Sequence, residues 1–230
     1  MDEHTLCTNI AKLLQRVRLS AEKSQRLESD IVLLAVSKTR PASDIRRAYA
    51  CGLDQFGESY LQEALEKIES LADLPLTWHF IGPIQSNKTR SIAAHFQWVH
   101  SIDRLKIARR LSEQRPVALP PLQVCIQVNI SAEASKSGVP VEQAHSLATG
   151  VAAMPGLQLR GLMAIPAKTG DEHSQQQAFA KLHKLFEELR QDFPDMDTLS
   201  MGMSGDLEAA IAEGSTLIRV GTAIFGPRNG

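Results

Sequence analysis

The chain has 230 residues, 43% of them hydrophobic, and a formal net charge of −1 at pH 7. Its length exceeds the ~100–150 residues usual for one domain but suits a (β/α) barrel of about 250 residues, and its charge gives no field for binding nucleic acid. No run approaches the ~18 apolar residues of a membrane span, and the first residues lack the basic and apolar regions of a signal peptide, so we expect a soluble, cytosolic protein.

The first strand is predicted from Ile31 to Ser37, where six of seven residues are aliphatic and the flanking segments are polar. Pro41 ends this element, and Lys38 stands just beyond its apolar run. Because side chains alternate along a strand, Lys38 lies on the same face as Val36, and its aliphatic carbons extend from the end of an apolar surface. Desolvation there would lower the pKa of the amine and prepare it for imine chemistry. The alternative is a strand-end lysine that reaches water.

An amphipathic helix up to about residue 28 precedes this strand, and strands then alternate with helices to the end of the chain. Asp103 is the expected N-cap of the helix after the fourth strand. Further strands are predicted over residues 53–56, 77–81, 97–101, 122–130, 157–165, 198–201 and 216–220. The helices between them are predicted over about 42–51, 61–71, 86–94, 103–114, 141–153, 179–189 and 206–213.

Eight strands alternating with helices predict an α/β fold, a (β/α)₈ barrel of the TIM type with an extra N-terminal helix. No linker divides the chain, so we expect a single domain over residues 1–230. The alternative is an open doubly wound sheet, but its phosphate-binding fingerprint G-x-G-x-x-G is missing after the first strand.

The cysteines Cys7, Cys51 and Cys125 are odd in number and far apart in the sequence. Neither a disulfide framework nor a CxxC metal site has this spacing. We therefore expect three free thiols with structural roles and no metal site.

Two glycine-rich loops follow the last two predicted strands, where barrels of this kind commonly bind phosphate. In residues 201–206 the glycines permit close backbone approach and Ser204 supplies a hydroxyl, while Gly221 and Thr222 open the second loop. Each loop alone would be explained as a helix cap. Because the two occupy adjacent barrel positions, we favour a phosphate site.

Arg219 interrupts an otherwise uncharged eighth strand, and a guanidinium there needs a partner. That partner is either a buried carboxylate or a heteroaromatic ring nitrogen of a ligand. Lysine imine, phosphate loops and a ring-nitrogen contact together describe pyridoxal 5′-phosphate (PLP). A fixed cation beside the pyridine nitrogen would disfavour its protonation and weaken the ring as an electron sink.

Several motifs across nearly the whole chain resemble the pyridoxal phosphate homeostasis protein family. That family is similar in fold to the barrel domain of bacterial alanine racemase, and it binds PLP through a lysine without a well-established catalytic reaction. The motifs are AVSKT at 35–39, GESY at 57–60, WHFIG at 78–82 with Gln85 and Asn87-Lys88, LSMGMS at 199–204 and RVGTAIFG at 219–226.

The resemblance implies that Lys38 forms an aldimine with PLP and that Arg219 contacts the pyridine nitrogen. Ser59 departs from the family, which usually has asparagine there, and His79 has the alternative role of satisfying a core hydrogen bond. The phosphate would be held by Ser204, Gly205, Gly221 and Thr222, and the matching motifs add Met203, Ser59 and His79 as candidate cofactor contacts.

These observations lead us to expect a monomer that holds and buffers PLP and delivers it to PLP-dependent apo-enzymes, without a need for turnover. The first alternative is a weak amino-acid racemase, which requires two bases on opposite faces, whereas Lys38 supplies one. Tyr49 is expected to pack in a helix, and Tyr60 has no assigned role. The second alternative is a barrel enzyme that forms a lysine Schiff base with a sugar phosphate, where Arg219 would have no role.

Two further lysines lie near the predicted site end of the barrel. Lys136, in the loop after the fifth strand, is a candidate for attracting or releasing the cofactor. Lys88, after the third strand, is expected to be solvated.

Overall fold

Eight parallel strands close into a barrel in sequence order, as predicted. The computed structural model describes residues 2–131, 137–166 and 172–227. The strands are β1 (Val32–Val36), β2 (Gln55–Glu58), β3 (Thr77–Phe80), β4 (Trp98–Ile102), β5 (Leu122–Gln127), β6 (Leu157–Met163), β7 (Thr198–Ser200) and β8 (Leu217–Val220).

Helices cover the outside of the barrel, and short 3₁₀ turns at Glu28–Asp30, Ser86–Lys88 and Val141–Gln143 precede some of the strands and helices. The predicted N-terminal helix is present as α1. The helices are α1 (Glu3–Lys23), α2 (Ala42–Ala50), α3 (Leu61–Ser70), α4 (Thr89–His95), α5 (Leu105–Gln114), α6 (Ala144–Ala152), α7 (Glu172–Arg190), α8 (Leu207–Ala212) and α9 (Thr222–Phe225).

The barrel closes where β8 pairs with β1, so the first and last strands lie side by side at this seam. Leu34 of β1 lies opposite Arg219 of β8, and Ala35 lies opposite Val220. Strands buried on both faces read as nearly continuous apolar runs, which is why both were recognisable in the sequence. The loops that follow these two strands therefore open side by side at the carboxyl end of the barrel.

Helix α1 is capped by Asp2, whose side chain accepts a hydrogen bond from the Thr5 backbone N–H at 2.8 Å. Its stripe of Leu6, Ile10, Leu13 and Val17 is buried, and the helix packs against α8 and α9 as well as α2. Helical spacing of apolar residues thus turns one face of α1 onto the barrel's outer layer.

The prediction of three free thiols was wrong for two of the cysteines. Cys7 of α1 and Cys51, at the end of α2, form a disulfide with a Cα–Cα distance of 5.3 Å across a sequence separation of 44. Packing of α1 beside α2 creates this proximity, which the sequence spacing does not reveal. Cys125 is a free, buried thiol, and burial raises its pKa to about 12, so it is an unreactive core residue.

Asp103 was wrongly predicted as an N-cap. Helix α5 has Arg104 as its N-cap, and the Asp103 carboxylate instead accepts hydrogen bonds from the Arg104 guanidinium at 2.7 and 2.8 Å. Because the Asp103 carboxylate pairs with the neighbouring Arg104 guanidinium, it does not cap the backbone N–H groups of α5. Strand β5 also ends earlier than predicted, at Gln127, although Val128 still forms an isolated bridge with Val139.

Within residues 2–131, 137–166 and 172–227, no helix has the length and apolar character needed to cross a membrane. These ranges also contain no group of three or more His, Cys, Asp or Glu side chains arranged to hold a metal ion.

Candidate functional site

A pocket of about 580 Å³ opens at the carboxyl ends of the strands, where the loops after β1, β7 and β8 meet. This is the end of the barrel at which such folds place their sites. The structure brings eight of the nine predicted cofactor contacts to its wall: Lys38, Ser59, Met203, Ser204, Gly205, Arg219, Gly221 and Thr222.

Lys38 lies in a tight turn directly after β1. The turn is closed by a hydrogen bond from the Arg40 N–H to the Ser37 carbonyl at 3.0 Å, and Thr39 adopts a left-handed conformation with φ of 64°. Val36, on the same alternating face, also lines the pocket. The aliphatic part of the Lys38 side chain therefore extends into the pocket beside the apolar side chain of Val36, on the face that the strand pattern predicted.

A buried ammonium group supports this turn from outside the barrel. Lys67 of α3 donates to the Ser37 carbonyl at 2.8 Å and to Glu58 Oε1 at 2.7 Å. The Ser37 hydroxyl donates to the same Glu58 oxygen at 2.6 Å, and Glu58 is 0% exposed. Burial raises the pKa of Glu58, while the Lys67 ammonium opposes that rise. The residue before Lys38 is thus fixed through both its backbone and its side chain.

The residue after Lys38 is fixed by the same cluster. Glu63 of α3 accepts a hydrogen bond from the Thr39 backbone N–H at 2.6 Å and forms an ion pair with Lys67. A carboxylate that holds a backbone N–H makes a charge-assisted hydrogen bond, which is stronger than a neutral one. The two peptide groups flanking Lys38 are therefore both anchored to α3.

Arg219 forms the floor of the pocket and is only 5% exposed. Its NH1 group donates to the Ser200 carbonyl at 2.6 Å and to Ser200 Oγ at 2.7 Å, and its NH2 group donates to the Ala164 carbonyl at 2.8 Å. Burial lowers the pKa of Arg219 to about 10, so it remains a cation at neutral pH. Within the described ranges it makes no ion pair, and the carboxylate alternative is not what the structure shows.

The two glycine-rich loops meet beside this floor. The Ala223 N–H donates to Ser204 Oγ at 3.4 Å, which joins the loop after β7 to the turn that becomes α9. A side-chain carbon at Gly221 would lie 3.1 Å from the Val36 carbonyl oxygen, so glycine permits close approach across the seam. A carbon at Gly205 would meet nothing within 4 Å, so this position borders open volume. The loops can accommodate an anion against bare backbone.

Further polar residues of the pocket were missed by sequence reasoning. Arg40 donates through NH2 to the Gly226 carbonyl at 2.6 Å and the Pro227 carbonyl at 2.8 Å, tying the β1 loop to the segment after α9. Gln175 reaches the pocket from α7, and Asp206 lines it while accepting the Met203 N–H at 2.5 Å. Arg40 could have been suggested by its position two residues after Lys38, but no sequence signal links helix α7 to the pocket.

His79 is the one predicted contact that the structure does not bring to the pocket. It is fully buried in the barrel interior, with Nδ1 2.9 Å from His100 Nε2 and Nε2 3.1 Å from Gln55 Oε1. Its ring stacks on Trp98 at 5.4 Å between centroids. Burial lowers its pKa to about 3, so the ring is neutral. These are the contacts of a core histidine.

Three other residues considered from sequence lie outside the pocket wall. Tyr49 is half-buried in α2, Tyr60 is 55% exposed before α3, and Lys88 is exposed. Lys136 lies outside the described residues.

Known proteins match this chain along nearly its whole length. Residues 9–229 match the family model described as alanine racemase, N-terminal domain. The pyridoxal phosphate homeostasis protein of Pseudomonas aeruginosa is 60% identical over 225 residues, which cover 98% of this chain and 96% of that protein.

Solved structures agree with this similarity. The structure of PipY from Synechococcus elongatus with PLP bound is 37% identical, with a TM-score of 0.82, covering 96% of this chain and all of that one (100%). The alignment with an alanine racemase from Corynebacterium glutamicum covers 100% of this chain but only 62% of the racemase chain, with a TM-score of 0.71. Because its identity is 16%, that structure shows the shared fold alone.

Proposed function

Since the chain belongs to the family of pyridoxal phosphate homeostasis proteins, we propose that it binds PLP through Lys38 and acts in the homeostasis of this cofactor. The observation that carries the proposal is the pocket in which Lys38, Arg219 and two phosphate-type loops border one volume. An amine, a cation and an anion-binding backbone match the aldehyde, the ring nitrogen and the phosphate of PLP. PipY, a relative at 37% identity, has been solved with PLP bound.

Each described group has a defined role in this proposal. The Nζ of Lys38 forms a carbon–nitrogen double bond with the aldehyde carbon and releases water, and hydrolysis reverses the step. Ser204 and Thr222 offer hydroxyls to the phosphate, and Gly205 and Gly221 offer backbone N–H groups. Ser59 and Met203 complete the wall. His79 has no direct role, because it is buried and does not line the pocket.

Arg219 favours holding the cofactor over turnover. It donates to three neutral oxygens, so its charge is not cancelled by an ion pair within the described ranges. A cation beside the pyridine nitrogen disfavours ring protonation, and the unprotonated ring withdraws electrons from a substrate carbanion less strongly. A racemase would also need a second base, and neither tyrosine nor histidine lines the described part of the pocket.

We propose that the protein is a cytosolic monomer that passes PLP to PLP-dependent apo-enzymes by reversible release from Lys38. The open end of the pocket and the reversible bond support release. Light scattering should give the mass of one 230-residue chain, and a dimer mass would contradict the monomer.

Absorption spectroscopy tests the proposed function. Protein loaded with PLP should show a visible band that is absent from Lys38→Ala, because the carbon–nitrogen bond to the lysine generates that band. Lys88→Ala is the matched control, since Lys88 is exposed and outside the pocket wall. Retention of the band by Lys38→Ala would overturn the assignment. Chiral analysis after incubation with L-alanine should show no racemisation above that caused by free PLP, and enzymatic turnover would favour the racemase alternative.

A further inference from the structure

A chain of hydrogen-bonded side chains crosses the barrel interior from the floor of the pocket to the start of β2. The Arg219 NH1 group donates to Ser200 Oγ at 2.7 Å, and Ser200 Oγ lies 2.9 Å from His100 Nδ1. His100 Nε2 lies 2.9 Å from His79 Nδ1, and His79 Nε2 lies 3.1 Å from Gln55 Oε1. We call Ser200, His100, His79 and Gln55 the lumen chain.

The hydrogen bonds of the lumen chain all donate in one direction, from Ser200 through His100 and His79 to Gln55. Because the carbonyl oxygen of Gln55 only accepts, Nε2 of His79 carries the hydrogen, and the Nδ1 of a neutral His79 accepts. His100 must then donate from Nε2 and accept at Nδ1. The one remaining donor for His100 Nδ1 is the Ser200 hydroxyl, which also accepts from Arg219.

Donation in the opposite direction, from Gln55 toward Ser200, would leave one buried donor without an acceptor. With the Gln55 amide turned around, His100 would donate to Ser200 Oγ, which already accepts from Arg219. The hydroxyl hydrogen of Ser200 would then have no acceptor among the described contacts, in a residue that is fully buried. A buried, unsatisfied donor is costly, so the first direction is the stable one.

Neutral histidines are also required by their surroundings. Burial lowers the pKa of His79 to about 3 and the pKa of His100 well below its usual range, and His79 and Arg219 reinforce the effect on His100. The aligned neutral dipoles present an oxygen lone pair to the guanidinium, and each hydrogen bond in such a series polarises the next. Gln55 ends the series with an amide, which is not a base, so the lumen chain orients groups and does not conduct protons.

We propose that the lumen chain is a positioning device for Arg219. It fixes Ser200 Oγ as an acceptor, holds the guanidinium plane, and leaves Arg219 with N–H groups for a ligand acceptor. Three of the five N–H groups of Arg219 are used by Ser200 and Ala164, and the remaining two make no hydrogen bond among the described residues. The inference rests on the proposed function, because the acceptor it serves is the ring nitrogen of PLP.

The readout is a ratio of affinities for two probes, PLP and 1-deazapyridoxal 5′-phosphate, in which carbon replaces the ring nitrogen. A fixed donor selects the probe with a ring acceptor, so wild type should prefer PLP. Ser200→Ala and His100→Phe should each reduce this preference roughly 5-fold, as expected when a charged hydrogen bond is loosened but not removed. General damage to the pocket would weaken the binding of both probes equally and leave the ratio of their affinities unchanged.

Ser101→Ala is the matched control. Ser101 is also a buried serine, but its hydroxyl donates to the Gly82 carbonyl at 2.6 Å and is not part of the lumen chain. The control should keep the wild-type ratio. An unchanged ratio in both Ser200→Ala and His100→Phe, with PLP still bound, would overturn the positioning role alone. Failure of wild type to bind PLP would overturn the proposed function itself.

A measurement on the wild-type protein covers the case in which these variants fail to fold. Nitrogen-15 NMR of histidine-labelled protein distinguishes the two neutral tautomers of each ring. His79 and His100 should both carry their hydrogen on Nε2. A hydrogen on Nδ1 of either ring would contradict the direction of the lumen chain, whether or not PLP binds.

Discussion

Arg219 is a buried cation held by neutral oxygens, an arrangement that a stability argument alone does not explain. Placing an unpaired charge in a core is expensive, and folds retain such groups where they serve a ligand. The neighbouring histidines stay neutral and so add no second charge beside the guanidinium. At the residue scale, one positive charge is therefore concentrated at the floor of the pocket.

Burial of His79 makes stability depend on pH. Its pKa falls from about 6.5 in the unfolded chain to about 3 in the fold, so the unfolded state binds more protons between these values. His79 should therefore lower the free energy of unfolding as pH falls below 6.5, by up to about 1.4 kcal/mol per pH unit, and His100, whose pKa is also lowered, adds to this slope. Urea unfolding at pH 7 and at pH 5.5 measures this slope.

His79→Gln should reduce the slope without abolishing it, because glutamine does not titrate, whereas the buried His100, whose pKa is also lowered, still does. His145→Gln is the control, since His145 is exposed and its side chain pairs with Asp192 on the surface. An equal slope in wild type and His79→Gln would show that the buried ring does not cause the acid sensitivity.

Lys38 and Arg219 were predictable because strand alternation and an interrupted apolar run are local signals. Gln175 was not, since a helix residue reaches the pocket only through the packing of α7. Lys67 was also missed, because a lysine on an amphipathic helix is normally solvated, and only the fold shows Glu58 beneath it.

The pairing of Lys67 with Glu58 holds α3 against the first two strands. Removing one partner leaves the other charge buried and uncompensated. We predict that Lys67→Met lowers the free energy of unfolding by about 3–5 kcal/mol, the usual cost of breaking a buried pair. Urea unfolding at pH 7 measures it, and slower PLP loading should accompany it because Ser37 loses its anchor.

Lys67→Met combined with Glu58→Gln should recover part of that loss, since no carboxylate then remains buried. Arg46→Met is the surface control: Arg46 and Asp73 form an exposed ion pair, and its loss should change the free energy of unfolding little. Equal effects of Lys67→Met and Arg46→Met would contradict the assigned role of the buried pair.

Helix α1 connects the disulfide to the two glycine-rich loops of the pocket. Its Arg16 donates to the Ser204 carbonyl at 3.2 Å, and its Asn9 donates to the Ile224 carbonyl at 3.1 Å. The Cys7–Cys51 disulfide fastens the same helix to α2. At the element scale, an extra helix before the barrel thus serves as an outer brace for the site.

Reduction of this disulfide should destabilise the protein. For a sequence separation of 44 residues, the chain-entropy model gives about 4 kcal/mol. Urea unfolding with and without a thiol reductant measures the loss, and the Cys7→Ser, Cys51→Ser double variant should be insensitive to the reductant. Thiol titration of the unfolded, unreduced chain should find only Cys125, and three reactive thiols would contradict the disulfide.

At the scale of the whole molecule, barrel closure turns separate sequence signals into one site. The alternation of strands and helices predicted eight strands, and with them the neighbouring positions of β8 and β1. The alternation did not give the register that sets Leu34 opposite Arg219, because register depends on side-chain packing over all eight strands. It also gave no sign of the lumen chain, whose members come from β2, β3, β4 and β7.

The pocket and its supports favour a protein that holds an aldehyde cofactor and releases it. In the proposed function Lys38 would supply the reversible bond and Arg219 would keep the ring a weak electron sink, while Glu63 and Lys67 of α3 fix the turn that carries Lys38. These features suit reversible storage, because a ring that is a weak electron sink stabilises a substrate carbanion less strongly.

The most direct test is borohydride reduction of PLP-loaded protein followed by peptide mass spectrometry. Reduction makes the bond to the lysine permanent, so the attachment point survives digestion. One phosphopyridoxyl group should be found on the peptide that contains Lys38, and none on the same peptide from Lys38→Ala. Absence of the group, or its stoichiometric attachment to another lysine, would contradict the account.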